Sequence, residues 1–256
     1  MTTLRNTHHL GRIGTYGEQS IAAGMVSLHF VNVTDHKPLV APFRGSDARF
    51  ATNPICLAMP GTEKQPPLLL DIATSRIALG KARVAFNKGE VLKEGLVLDH
   101  KGEPSTDPAV MAGYIFPDRE ENPPLGALTP LGDYKGYGLA MFCELLGGLL
   151  SGGGTIQPEH ERQNSIINNM FSIIIDPGKL VDVSWMQHEV EAIAAHAKAS
   201  PPVNQEEPVL IAGDPERISL NERLAKGIPL DDASWEQILA VGEVLGLTRE
   251  AMHNLV

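Results

Sequence analysis

The 256-residue sequence predicts an α/β fold. Three stretches carry that expectation. Leu68-Leu69-Leu70 is a strand-like apolar run. It ends at Asp71, passes Ile72-Ala73-Thr74-Ser75, and resumes with helical spacing at Ile77, Leu79 and Ala82 to Phe86. A helical stretch through Ala22-Ala23 stops at Gly24 and gives way to an alternating run, Met25 to Val33, like the back half of an α/β repeat. Lys135 to Leu150 has Leu139, Phe142, Leu145, Leu146 and Leu149 at helical spacing. It is nearly apolar all round, which places it at the centre of the fold.

Taken in order, Met1 to Ile13 carries His8-His9, a pair that is most often simply solvated. Gly11 and Gly14 let backbone come close to a ligand. Thr15-Tyr16-Gly17-Glu18 has the form of a capping box. In the following strand Val26, Leu28 and Phe30 share one face, and Ser27, His29, Val31 and Val33 the other. Pro38 to Asn53 reads as loop, and Pro54 opens a strand, Ile55 to Met59. Thr52-Asn53 just before it are turn formers whose side chains can enter a cleft.

A helix from about Ser75 to Asn87 should end at Gly89. Leu96 to Leu98 with His100-Lys-Gly suggests a hairpin, and Asp107 a cap for a short helix through Met111. Tyr114 to Leu131, with the patch Asp118-Arg-Glu-Glu121, reads as an exposed loop. Gly136 and Gly138 again permit close approach to a ligand, and Lys135 opposes the helix dipole unless an anion or solvent relieves it. Ser151 to Asn164 is loop, Met170 to Ile175 a strand, Asp176-Pro-Gly a turn and Val183 to Lys198 an amphipathic helix. Pro201 to Pro208 is a linker, which divides the chain into 1–199 and 200–256. Val209 to Ala212 reads as a strand, Gly213-Asp214-Pro215 as a helix start, and Ser234 to Leu245 and Thr248 to Leu255 as final helices.

A net charge of −10 without a Lys/Arg cluster argues against a nucleic-acid surface. Cys56 and Cys143 sit in apolar runs and read as buried thiols of a reducing, cytoplasmic compartment. No signal peptide, membrane span or metal spacing is legible. The turn after Leu70 would free backbone N–H groups at a helix N-terminus, a seat for phosphate or carboxylate, with Asp71, Thr74 and Ser75 beside it. The alternative is a helix cap and nothing more.

Five motifs then stand in one order: His8-His9-Leu-Gly-Arg-Ile-Gly, Ala51-Thr52-Asn53-Pro54-Ile, Leu70-Asp71-Ile-Ala-Thr-Ser75, Tyr134-Lys135-Gly136-Tyr-Gly138-Leu-Ala and Gly213-Asp214. Together they resemble the malate/L-lactate dehydrogenase family over nearly the whole chain. That resemblance implies a non-Rossmann, mixed-sheet cofactor domain with C-terminal cap helices, consistent with the lack of any G-x-G-x-x-G after a strand. It implies interconversion of 2-oxo acids, of phenylpyruvate type, and 2-hydroxy acids, a homodimer, and NAD in preference to NADP. It places cofactor contacts on His9, Leu10, Gly11, Asp71, Ile72, Ala73, Thr74, Ser75, Tyr134, Lys135, Asn168, Ala212, Gly213 and Asp214. Thr52, Gly80 and Lys81 would face the substrate. Tyr134 stands where the family usually has His, and Ala212-Gly213-Asp214 where it usually has Pro-Gly-Glu.

The family's proton-donating histidine and carboxylate-holding arginine match nothing here and are expected upstream of Met1. No residue of this sequence is therefore assigned catalysis. Two other readings follow from that: an NAD(H)-binding pseudoenzyme, or a dimerisation scaffold. An exposed apolar patch on the C-terminal helices is expected as well.

Overall fold

The computed structural model describes residues 1–117, 120–163 and 165–254. Asp118, Arg119, Asn164 and Leu255, which enter the loop and helix expectations above, lie outside the described residues.

The strands are β1 (Thr2–Thr7), β2 (Val26–Thr34), β3 (Ile55–Met59), β4 (Leu68–Ile72), β5 (Val97–Leu98), β6 (Pro104–Ser105), β7 (Ala127–Leu128) and β8 (Ile167–Ile175). The helices are α1 (Gly14–Ala22), α2 (Leu79–Lys88), α3 (Ala112–Ile115), α4 (Tyr134–Cys143), α5 (Val183–Lys198), α6 (Asp214–Lys226), α7 (Asp232–Val244) and α8 (Arg249–His253). A five-stranded sheet runs β1-β8-β2-β3-β4, and a three-stranded one β6-β5-β7. Helices and strands mix as expected. Every ladder between these strands is antiparallel, however, so the sheet is not of mixed direction and α1–β2 is no parallel crossover.

Alternation along β2 sorts the large sheet into two faces. Val31, Cys56, Ala58, Leu69 and Met170 lie on one and pack with Ile13 beneath α1. Gly17 makes that contact possible, since a Cβ there would stand 2.8 Å from both Cys56 Sγ and Leu69 Cδ1. Ser27 and His29 share this buried face, so the more polar side of the alternation is the inner one. Each is satisfied: His29 Nδ1 is 2.7 Å from Ser172 Oγ and Nε2 is 3.0 Å from Ser27 Oγ. The second core gathers Leu39, Val40, Ala82, Val97, Met111 and Leu128.

Five points of the sequence reading are corrected. Thr2–Thr7, to which no element was assigned, is an edge strand, exposed from Thr2 to Asn6 and therefore without a burial pattern. The Thr15–Glu18 box does not cap α1; Ile13 is the N-cap, Glu18 pairs with Arg12 at 2.8 Å, and Gly14 N–H donates to Asp71 Oδ2 at 2.7 Å. Val209 to Ala212 forms no strand. Tyr114 to Leu131 is not all exposed loop, because Ala127 and Leu128 form buried β7. The Lys135–Leu150 helix is real, continuing α4 as a π-helical turn over Glu144–Leu149, but it is not enclosed. Its small residues face the sheet while Leu139, Phe142, Leu145 and Leu149 are exposed.

Other expectations are met. β3 and α5 have the predicted bounds, Gly89 ends α2 in a left-handed conformation, and Asp107 caps the 3-10 turn Pro108–Met111. The C-terminal helices do expose apolar side chains, among them Leu224, Val241 and Val244. No helix among the described residues is long and apolar enough to cross a membrane.

Burial pushes the His29 pKa down, and the hydroxyls of Ser172 and Ser27 that meet its ring nitrogens carry no charge to oppose this. The unfolded chain therefore binds this proton more readily. The stability His29 contributes is full above its ordinary value of 6.5 and is lost as pH falls below it. Thermal melts should show Tm dropping by a few degrees between neutral pH and pH of about 5.5, with a flatter profile for His29→Asn.

Candidate active site

The nominated residues lie far apart in sequence, and four local arrangements gather most of them, of which only Gly213 lines the cleft described below. The first joins β1 to β8. The ladder shifts register between Leu4 and Thr7, and Asn6 there takes a φ of 54°. The chain then crosses β8: Thr7 Oγ1 donates to Asn168 O at 3.1 Å, and Leu10 N–H to Asn168 Oδ1 at 2.8 Å. Asn168 is buried, and its Nδ2 has no hydrogen-bond partner among the described residues. Gly11, with φ of 72°, turns the chain so that its N–H meets His9 Nδ1 at 3.0 Å.

The second arrangement lacks the helix start expected at Ser75. Asp71 is still within β4, and α2 begins only at Leu79, so no helix N-terminus follows directly on Ser75. Thr74 N–H and Oγ1 both donate to Thr52 O at 2.9 Å, and Ser75 Oγ donates to Ile77 O at 2.8 Å. These groups brace the turn rather than point at a ligand. The physical reason is burial: Thr74 and Ser75 are both enclosed and must be satisfied internally. Asp71 is spent on Gly14 N–H and lies 3.9 Å from Arg12 Nε.

In the third, Leu131 N–H donates to Thr74 O at 2.9 Å, which seats the α4 N-terminus on the turn. A Cβ on Gly136 would stand 2.3 Å from Leu131 O and 2.6 Å from Thr74 O. The close approach expected at Gly136 is thus to backbone. Gly138 faces open space. Tyr134 and Lys135 are exposed, with Tyr134 against Phe43 at 6.1 Å between centroids.

The fourth is a cleft of about 710 Å³ between α1 and α6, lined by Arg12, Glu18, Pro67, Gly213, Arg217 and Arg223 among others. Gly213 is buried at a φ of 91°, with Arg217 Nη1 2.7 Å from where its Cβ would be. Asp214 pairs with Lys198 at 2.9 Å and Arg217 at 2.5 Å; these bonds hold its carboxyl down at about 2 against the desolvation that opposes them. Asp214 thus fastens α6 and is not a free acid. The three arginines, Arg12 from the loop before α1 and Arg217 and Arg223 from α6, line one cleft, a grouping the sequence did not disclose.

Of the substrate-facing nominees, Thr52 is tied into the seam through Thr74. Gly80 and Lys81 sit in the exposed first turn of α2, and no ion pair joins Lys81 to the others among the described residues. Two residues escaped notice. Arg12 lay within a quoted motif without a role. Glu144 was given no role, although a carboxylate in an apolar run is itself a signal that buried donors await it.

Fit to a nicotinamide cofactor rests on three of these observations. The cleft has the size of a ligand pocket, Asn168 has a buried amide N–H to give, and Gly11 and Gly138 leave backbone open to approach. The Asp71–Ser75 turn fits as a wall, with its Thr74 N–H already given to Thr52 O.

Fold and seam together define a mixed α/β protein with a ligand cleft at the edge of an antiparallel sheet. The family model for malate/L-lactate dehydrogenase matches residues 1–239, and the chain belongs to that family. It is 44% identical over 251 residues to hydroxycarboxylate dehydrogenase B of Escherichia coli K12, covering 97% of this chain and 66% of the relative. To the L-lactate dehydrogenase of Cupriavidus necator it is 41% identical, covering 96% and 68%. The chain thus spans about two thirds of the length of the curated relatives it matches. Among solved structures, a putative malate/lactate dehydrogenase from E. coli superposes with a TM-score of 0.85 at 43% identity, covering 98% of this chain and 67% of that one. Sulfolactate dehydrogenase from Methanocaldococcus jannaschii gives 0.72 at 29% identity, covering 97% and 67%.

The glycines of α4 offer a direct check on the seam. Gly136→Ala should destabilise the protein by roughly 1–3 kcal/mol, because neither Leu131 nor Thr74 backbone can yield without breaking their bond. Gly138→Ala, in open space, should leave Tm unchanged or slightly higher. Thermal melts of the two variants decide it.

Proposed function

We propose that this chain forms the nicotinamide-binding part of a 2-hydroxycarboxylate dehydrogenase that interconverts 2-oxo acids of phenylpyruvate type and 2-hydroxy acids with NAD. The observation that supports it most is the convergence of Arg12 and Gly213, from motifs about two hundred residues apart, on one cleft beside Asp71. Arg12 and Arg217 are already engaged by carboxylates, which favours a cofactor without an additional phosphate. Similarity to a hydroxycarboxylate and an L-lactate dehydrogenase supports the substrate class.

When bound, a nicotinamide supplies or accepts the hydride. The residues of this chain hold and orient. Asn168 would give its spare N–H, the Gly11 turn would admit backbone, and the cleft would take the nucleotide portion. Lys81, exposed and unpaired among the described residues, offers a point charge for a carboxylate. No residue here is assigned the proton transfer.

The exposed stripe Leu139, Phe142, Leu145 and Leu149 supports a homodimer through α4. Sedimentation should report a dimer, and Phe142→Glu should shift it towards monomer.

Titration of the purified chain with NADH, followed by dihydronicotinamide fluorescence, should show saturable binding tighter than with NADPH. Added phenylpyruvate should then oxidise the bound NADH. Binding without oxidation would leave the pseudoenzyme reading; absence of binding to either nucleotide would overturn the proposal.

A further inference from the structure

Glu144 opens the π-helical turn after α4 and is 3% exposed. No cation pairs with it among the described residues. Instead it accepts three neutral hydrogen bonds: Asn53 Nδ2 to Oε1 at 2.8 Å, Asn32 Nδ2 to Oε2 at 3.0 Å, and Ile156 N–H to Oε2 at 2.9 Å. An ionised carboxylate is acceptor-only and matches three donors. A glutamine would turn an NH₂ group against one of them.

Two chains of bonds leave this carboxylate. One runs through Asn53, fully buried with φ of 32°. Its Nδ2 also donates to Ala140 O at 3.2 Å, which fixes the orientation of the amide. Its neighbour Thr52 receives both Thr74 donors, so this chain ends on the Thr52–Thr74 wall. The other runs through Asn32, whose Oδ1 accepts from Asn169 Nδ2 at 3.0 Å. Asn169 Oδ1 in turn accepts Asn6 N–H at 2.9 Å, at the irregularity of β1 that delivers His9-Leu10-Gly11. That chain ends on the opposite wall.

We infer that Glu144 is a positioning residue for the nicotinamide site, a buried carboxylate that fixes both of its walls at once through Asn53 and through Asn32–Asn169–Asn6. This rests on the proposed function for what the walls hold, but the geometry of the walls can be read separately. π-Helical turns commonly occur at functional sites, and this one turns Glu144 towards the sheet that carries both asparagines.

The test compares wild type, Glu144→Gln, Asn169→Ala and a control, Cys143→Ala, which removes a buried neighbour whose Sγ donates to Pro54 O at 3.9 Å and to none of the network side chains. Each 256-residue chain is melted, titrated with NADH by fluorescence, and followed by amide hydrogen exchange. Glu144→Gln should weaken NADH binding by about tenfold or more, the scale of an unsatisfied buried donor. It should also speed exchange at both Leu10 and Thr74, while an amide inside α5, such as Ala194, stays protected. Cys143→Ala should lower Tm and leave NADH affinity within about twofold.

A folded Glu144→Gln with unchanged exchange at Leu10 and Thr74 overturns the inference, as does a loss of affinity no greater than that of the control at equal Tm. Should Glu144→Gln not fold, Asn169→Ala decides: faster exchange at Leu10 and weaker NADH binding support it, and wild-type behaviour overturns it. Wild type that binds no nucleotide defeats the proposed function alone, since the exchange comparison still reads the two walls.

Discussion

The pairing of β2 with β8 is the constraint on which the rest depends. Nine residue pairs run without a slip from Val26↔Ile175 to Thr34↔Ile167. They join segments 133 to 149 positions apart in the chain, at a substantial loop-closure cost that only extensive burial offsets. A shift by one residue would turn every side chain to the other face. It would part His29 from Ser172 beneath α1, and Asn32 from Asn169 beneath the π-helical turn. One register therefore sets both the apolar core with its satisfied histidine and the polar network behind the candidate site.

The seam is built by backbone meeting backbone. Thr74 binds Thr52 through two donors and Leu131 through its carbonyl, and Gly136 closes over them. Gly147 does the same on the sheet, where a Cβ would stand 3.0 Å from Asn32 N and 3.2 Å from Asn169 O. Small residues face inward, so the large apolar residues of α4 are left outside. This is why a segment that is apolar on all sides is only half enclosed.

Membership of the malate/L-lactate dehydrogenase family agrees with the order of motifs along the chain. The structure changes what one motif does. Asp71, Thr74 and Ser75, read as part of a phosphate seat, make bonds that brace the turn, while Arg12 and Gly213 line the cleft. Asp71 still matters, since its carboxylate caps α1 from 57 positions away. A cap supplied across the fold is invisible to a reading that looks for one within four residues.

What the sequence determined by itself was local. The Pro54 start of β3, the Gly24 and Gly89 helix ends, the Asp107 cap and the length of α5 follow from residues within one or two turns of each other. Tertiary structure decided the rest. Edge strand β1 has no buried face to write a pattern, buried β7 is too short to show one, and strand direction is not encoded in any single segment. The meaning of Glu144, Asn32, Asn53 and Asn169 was likewise undecided in one dimension. A polar residue in an apolar run costs stability until a partner is supplied, and those partners lie as many as 137 positions away.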